Sequence, residues 1–215
     1  MLTPGLGVYT DEEFFDRQTC EGLKAEMRAG LQTRAKIYDR GWDRVLDEDK
    51  RSTLQINVSP RTSAFVKERL LERLPVFRRH FGLEATDCQE PNFLIYRPGD
   101  FFEPHRDLSN EERAPGLVRR RVISAVIFLN DEAADGAAGE YAGGSLAFYG
   151  LLKDPRCERI GIPVRGKAGL LVAFPSGVFH QVTPVTSGER FTVVSWFVQE
   201  RAGRARATEE REDGK

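Results

Sequence analysis

The sequence lacks long apolar runs. No hydrophobic stretch approaches the roughly 20 residues that a membrane-spanning helix needs. The N-terminal segment MLTPGLGVYTDEE has neither the basic start nor the apolar stretch of a secretory signal. Cysteine is scarce: Cys20, Cys88 and Cys157 are widely spaced and odd in number. They make neither a disulfide framework nor a CxxC metal knot, fit a reducing cytoplasm, and read as small, semi-buried side chains. An excess of one charge is also missing. With 32 basic and 33 acidic side chains the formal net charge is −1, so no global field draws the chain to nucleic acid or anionic lipid. What remains is an ordinary globular composition, 40% hydrophobic and 30% charged over 215 residues. That length suits one domain, or one domain with a helical annex.

The texture changes once along the chain. Residues 1–87 read as a helical support segment with one strand. Thr10 and Glu13 have capping-box spacing, and Phe15, Cys20, Leu23 and Met27 give a rough helical stripe ending near Gly30. A second helix is expected from Thr62 or Ser63, with Val66, Leu70 and Leu74 on one face. Pro75 breaks it and opens a third that runs to Gly82. His80 reads as a helix-end histidine. Leu54, Ile56 and Val58 alternate as a strand, and the stretch from Gln32 to Lys50 reads as loop.

From Cys88 onward, short β-type runs dominate: Asn92–Tyr96, Arg121–Leu129, Ser145–Tyr149, Ile160–Val164, Leu170–Phe174 and Phe191–Val198. So many short strands, punctuated by Gly, Pro, Asn and Asp, point to a β-sandwich or a jelly roll over 88–199. Gly166 and Gly169 suit a hairpin turn, and Gly143 and Gly144 suit a bend that brings a strand close to a site. The long gaps Leu108–Arg120 and Asn130–Gly144 read as lids or disorder. The charged tail 200–215 is expected to fray.

Two of the three histidines sit where chemistry needs them. In RPGDFFEPHRDLSN, His105 and Asp107 are two residues apart, so on an extended segment their side chains share a face. His180 closes FPSGVFH, just beyond a predicted strand. Two imidazoles and one carboxylate form the facial triad of non-haem iron(II), which leaves positions open for a co-substrate and oxygen. An HxD pair alone is common by chance, so its company decides. Arg190 opens a strongly β run ten residues after His180, where a guanidinium can fork onto a carboxylate. Tyr96, nine residues before His105, can donate a phenolic hydroxyl to the same group. Arg106 should face away from the metal, either solvated or reaching toward substrate. Of the run Arg119, Arg120 and Arg121, the first two read as solvated, while Arg121 enters a strand. Trp196 reads as core.

The segments NFLIYRPGDFFEPHRD, RVISAVIFLND, GGSLAFYG and PVRGKAGLLVAFPSGVFHQVTPVTSGERFTVVSWF, in that order, resemble the prolyl-4-hydroxylase-like iron(II)/2-oxoglutarate dioxygenases from about Asn92 to Val198. The resemblance implies an α+β, mainly β chain: a double-stranded β-helix (jelly roll) core with supporting N-terminal helices. It implies iron(II) on His105, Asp107 and His180, and 2-oxoglutarate held by Arg190 with help from Tyr96. Dioxygen is the third participant, and the family admits ascorbate. Arg121 stands where the family often places substrate contacts. Many members of this branch carry Lys at the position of Arg190, and the Arg here is similar to the oxygen-sensing and several bacterial subgroups. Related halogenases lack the carboxylate of the triad, so Asp107 points to hydroxylation.

The substrate is then a small molecule or a peptidyl group, prolyl or otherwise amino-acid-like, with a natural-product intermediate as the alternative. Its contacts are expected from Gln32–Lys50, Leu108–Arg120 and Asn130–Gly144. No nucleic-acid groove or membrane contact is expected. A catalytically inert metal-binding jelly-roll scaffold is a competing reading, although such a site would have shed at least one of the four polar residues. A cupin-type isomerase or zinc hydrolase would not need an Arg ten residues past the last ligand.

Overall fold

The computed structural model describes residues 7–133, 140–152 and 154–200. The tail beyond Glu200 and part of the Asn130–Gly144 stretch lie outside the described residues.

Two antiparallel sheets form the core. The larger has seven strands in the order β1 (Tyr9–Asp11), β14 (Leu171–Pro175), β10 (Arg121–Phe128), β17 (Arg190–Val198), β8 (Asn92–Tyr96), β6 (Leu54–Asn57) and β2 (Leu31–Arg34), with an eighth, β7 (Asp87–Cys88), on the end of β17. The smaller runs β13 (Ile162–Val164), β12 (Leu146–Tyr149), β15 (Phe179–Val182), β9 (Phe101–His105) and β5 (Arg51–Ser52). Two ribbons stand apart: β3 (Ile37–Tyr38) with β4 (Arg44–Val45), and β11 (Tyr141–Gly143) with β16 (Val185–Gly188). This is the mainly β double-stranded β-helix that the sequence resemblance implies.

The central strands read as unbroken apolar runs because both of their faces are covered. On β10, Ile123, Ala125 and Ile127 join one apolar cluster with Cys20, Leu23 and Met27 of helix α1 (Arg17–Ala29), Val66 and Leu70 of α2 (Pro60–Leu71), and Phe77 of α3 (Leu74–Phe81). The alternate residues Val126 and Phe128 belong to a second cluster with Leu146 and Phe148 of the smaller sheet. The period-2 geometry of a strand thus feeds two cores at once.

The helices begin elsewhere than their sequence signals suggest. Asp16 caps α1, its carboxylate accepting the Thr19 N–H at 2.7 Å. Thr10 lies in β1 instead, and the Glu13 N–H is taken by the Asp11 side chain at 3.2 Å. α2 starts at Pro60 behind the Ser59 cap, earlier than expected, because Pro suits the first helical turn. α3 ends at Gly82, whose φ of 64° is the left-handed conformation that glycine adopts without strain. His80 sits in its last turn, edge-on to Tyr9 and Phe81. The segment expected to hold helices and one strand contributes β1 through β6. Gln32–Lys50 carries the rest of β2 and the β3–β4 ribbon, and Leu108–Arg120 contains a four-residue helix, α4 (Gly116–Arg119).

Candidate active site

His105 ends β9 and His180 lies within β15, where the two are register partners with ring centroids 4.3 Å apart. His180 thus follows β14, as the sequence suggests, and lies within a further strand, β15, that the sequence does not mark. The β9–β15 ladder is irregular between this pair and the next, Val182 with Phe102. The extra residue falls in the Glu103–Pro104 stretch, where Pro104 has no N–H to give a ladder. A bulge beside a site re-aims the following side chain.

Each imidazole is held by the carbonyl two residues before it: His105 Nδ1 is 2.8 Å from Glu103 O, and His180 Nδ1 is 2.9 Å from Val178 O. When Nδ1–H donates to those carbonyls, each Nε2 keeps its lone pair for the centre of the site. Asp107, just past the strand, completes the set with Oδ1 3.7 Å from His105 Nε2 and Oδ2 3.5 Å from His180 Nε2. Its backbone N–H donates to Ser176 O at 3.0 Å, and the Ser124 hydroxyl donates to its Oδ2 at 2.7 Å. Ser124 lies on β10, so the carboxylate is tied to both sheets.

One donor atom from each of the three residues lies within 4.8 Å of the others. Burial, and then the neighbouring His180, hold the His105 imidazole well below its usual range, so it is neutral. Burial pushes the Asp107 carboxyl up, but the two imidazoles, Arg121 and the Ser124 hydroxyl outweigh it and keep it ionised. A neutral imidazole and a carboxylate are the forms in which these groups bind a divalent metal.

Arg190 and Tyr96 face each other across β17 and β8. Both are buried, at 1% and 2% exposure. The Arg190 guanidinium lies 4.9 Å from the Tyr96 ring centroid and 5.0 Å from that of Phe128. Its Nη1 donates to Thr192 Oγ1 at 3.3 Å, while Nε and Nη2 are buried without a hydrogen-bond partner. An ionised group left so is costly unless an anion completes it. Arg190, Tyr96, His105, Asp107 and His180 line one cavity between the sheets. The residues present therefore fit both a divalent metal and a carboxylate-bearing co-substrate. Gly144, at φ 64°, lies so close that an added Cβ would meet Arg190 Cδ at 3.0 Å.

A second cavity of about 320 Å³ opens beside the triad. Arg121 lines it, stacked 3.7 Å from the Trp196 ring centroid and bonded to Gln89 Oε1 through Nη2 at 3.0 Å. Arg106 also lines it, exposed and turned toward the Phe179 ring at 5.5 Å. Trp196, expected in the core, is half-buried and faces both cavities. Of the three segments expected to meet substrate, Gln32–Lys50 and Leu108–Arg120 supply lining residues. The described part of Asn130–Gly144 lies instead near the buried end of Arg190. Sequence reasoning missed Ser124, which braces Asp107, and Arg51, which lines both cavities. A lone serine in the apolar run VISAVIF is a legible sign, whereas nothing local marks Arg51.

A double-stranded β-helix with two histidines and an aspartate at one end of a cavity and a buried arginine at the other defines the class of non-haem iron oxygenases that use a 2-oxo acid. The chain belongs to the 2OG-Fe(II) oxygenase superfamily, whose model matches residues 91–198. A PKHD-type hydroxylase of Shewanella oneidensis is 37% identical over 188 residues, covering 85% of this chain and 74% of that protein. One from Hyphomonas neptunium is 34% identical over 147 residues, covering 66% and 58%. Among solved structures, a Pseudomonas putida prolyl-4-hydroxylase shares the fold with a TM-score of 0.64 and 24% identity, over 91% of this chain and 94% of that one. A prolyl hydroxylase from Trichoplax adhaerens, in complex with a hypoxia inducible factor oxygen degradation domain peptide fragment, gives 0.66 at 15% identity, over 90% and 84%. The protein is thus an iron(II)- and 2-oxoglutarate-dependent dioxygenase of the hydroxylase type. Among the described residues, no helix is long and apolar enough to cross a membrane.

Proposed function

We propose that this dioxygenase hydroxylates an unactivated C–H of a prolyl or other amino-acid-like substrate. His105, Asp107 and His180 hold the iron, Arg190 receives the far carboxylate of 2-oxoglutarate beside Tyr96, and Arg121 and Arg106 stand at the substrate mouth. On this reading residues 88–199 are the catalytic core and 1–87 support it. The observation that carries the reading is the pairing of a three-donor cluster with a buried, incompletely bonded guanidinium in one cavity.

When bound, iron(II) with 2-oxoglutarate and dioxygen supplies the oxidation that inserts oxygen into the C–H bond, with release of succinate and carbon dioxide. The chain's own residues do the rest. The carbonyls of Glu103 and Val178 keep both imidazoles in one orientation. Ser124 holds the carboxylate in place. Leu94, Val126, Leu146 and Val182 make the cavity wall apolar, which keeps bulk water from the reacting groups.

The test is an anaerobic titration of iron-loaded protein with 2-oxoglutarate, following the weak visible charge-transfer band of the complex in wild type and Arg190→Ala. A band in wild type that needs far more 2-oxoglutarate in the variant supports the assignment. Folded, iron-loaded wild type with no band overturns it in favour of a metal-binding jelly roll. Succinate release then separates turnover from binding.

A further inference from the structure

We propose that the mouth of this site selects an acidic amino-acid or short-peptide substrate, and that Arg51 on its floor receives the carboxylate nearest the oxidised carbon. The inference rests on the hydroxylase reading above. Six basic side chains line the 320 Å³ cavity: Lys36, Arg44, Lys50, Arg51, Arg106 and Arg121. Against them stand only Glu103 and Asp107, and Asp107 belongs to the metal cluster. The chain as a whole is balanced at −1, so this concentration of positive charge is local. Within the described residues, only Lys50 of the six has a salt bridge, to Asp47 at 2.9 Å. A cavity with so many unpaired cations disfavours a neutral or basic ligand and attracts an anion.

Arg51 is the informative member. β5 places it opposite Phe102 of β9, and its guanidinium lies 4.6 Å from the Phe102 ring centroid. Phe102 in turn stacks on His105 at 3.6 Å, so Arg51 is one ring away from the proposed iron ligand. It lines both the mouth and the inner cavity, and its Nε is buried with no hydrogen-bond partner. Solvated surface arginines do not leave a donor dry, and a fork-shaped donor set matches a carboxylate. Burial works first against the charged form of Arg51, while Tyr96 and Asp107 favour that form and Arg44 opposes it. An incoming anion offsets the loss of hydration.

Tyr38, Trp42 and Trp196 supply flat walls, which also suit a nucleobase. A bound oligonucleotide, however, needs a basic track that continues beyond one pocket. Here the β3–β4 ribbon at the rim carries Asp39 and Asp43, and Asp47, Glu48 and Asp49 follow it, which interrupts any such track. The observations therefore favour a short acidic peptide or amino acid seated within the mouth.

The test uses the full chain, loaded anaerobically with iron(II) and 2-oxoglutarate, and calorimetric titration with three probes: N-acetyl-triglutamate, N-acetyl-triglutamine amide and a thymidine trinucleotide. Triglutamate is expected to bind about tenfold or more tightly than triglutamine amide, and to weaken by about tenfold in Arg51→Gln. Arg44→Gln, on the exposed ribbon, should weaken it in the same direction and guards against a misfolded Arg51 variant. The 2-oxoglutarate affinity of the same samples is measured separately and should fall less than the triglutamate affinity. Equal or absent binding of the acidic and neutral peptides overturns the proposal. Tighter binding of the trinucleotide overturns the peptide assignment. A larger loss of 2-oxoglutarate than of triglutamate in Arg51→Gln assigns that residue to the co-substrate. Failure of the parent reading would appear in another readout, as absence of the 2-oxoglutarate band in wild type.

Discussion

His105 and His180 are cross-strand partners whose rings stand 4.3 Å apart, each pinned through Nδ1 to the carbonyl two residues before it. Strand pairing therefore sets the separation of the two imidazoles before any metal arrives, and only the third donor needs separate support. That support comes from the larger sheet, through the Ser124 hydroxyl on Asp107.

Replacing Ser124 by Ala should consequently loosen the carboxylate without touching a ligand. Metal affinity is expected to fall by about tenfold, the usual scale for a residue that orients a ligand. Asp107→Ala should do more, abolishing iron-dependent turnover. Competition with a chelator of known affinity checks both variants, and a Ser124→Ala protein that binds iron as wild type would detach Ser124 from this role.

Gly144 holds a different part of the site. Its φ is 64°, and a Cβ there would sit 2.7 Å from Val185 Cγ2 and 3.0 Å from Arg190 Cδ. Gly144→Ala should cost about 1–3 kcal/mol in stability from backbone strain and crowding. Because Arg190 is one of the crowded neighbours, 2-oxoglutarate affinity should fall in the same variant. Denaturant unfolding and a co-substrate titration measure the two effects, and a stable variant with normal affinity would contradict the geometry.

Much of this was legible in the residues, for identifiable reasons. Strands β8, β10, β14 and β17 are rich in valine, isoleucine and phenylalanine because both of their faces are buried, and that pattern survives without context. The HxD spacing and the Arg190 offset are likewise local. β5 and β9 were not legible: RS and FFEPH have no alternation, and the proline argues against a strand. They are strands because neighbouring backbone is there to pair with, which is a tertiary fact. Arg51 enters the site through that pairing, so no sequence window could place it. Helix α1 misled for a smaller reason. Asp16 is as good a cap as Thr10, and Asp11 had already taken the Glu13 amide.

The cysteines give a pH dependence of defined sign. Burial pushes the Cys20 and Cys88 thiols up to about 11 from an ordinary value of 9.0. Between those values the unfolded chain loses protons that the native state retains, so stability is fully present below pH 9 and declines as pH rises toward 11. Chemical denaturation at a series of alkaline pH values should show this decline, and it should shrink in a Cys20→Ala/Cys88→Ala double variant. At pH 8 both thiols should resist alkylation in the native state, while the half-buried Cys157 reacts. Rapid labelling of Cys20 or Cys88 in folded protein would contradict the burial.

Arg190 separates stability from function. Its guanidinium is buried with two nitrogens unsatisfied, so without an anion it should cost the fold free energy. Arg190→Met keeps the length and apolar stem of the side chain and removes the charge. Without 2-oxoglutarate, this variant should be as stable as wild type or more stable by about 1–3 kcal/mol, as when other buried charges are replaced by hydrophobic residues. Its affinity for 2-oxoglutarate should fall by about two orders of magnitude, the scale for losing one partner of a buried, hydrogen-bonded charge pair. Adding 2-oxoglutarate should then raise the melting temperature of wild type well above that of Arg190→Met and reverse their order, because ligand binding to the native state adds stability. Thermal unfolding of both proteins with and without 2-oxoglutarate gives the four values required. If Arg190→Met were destabilised without 2-oxoglutarate and its melting temperature rose normally with it, the guanidinium would be holding the sheets together and the co-substrate would be held elsewhere.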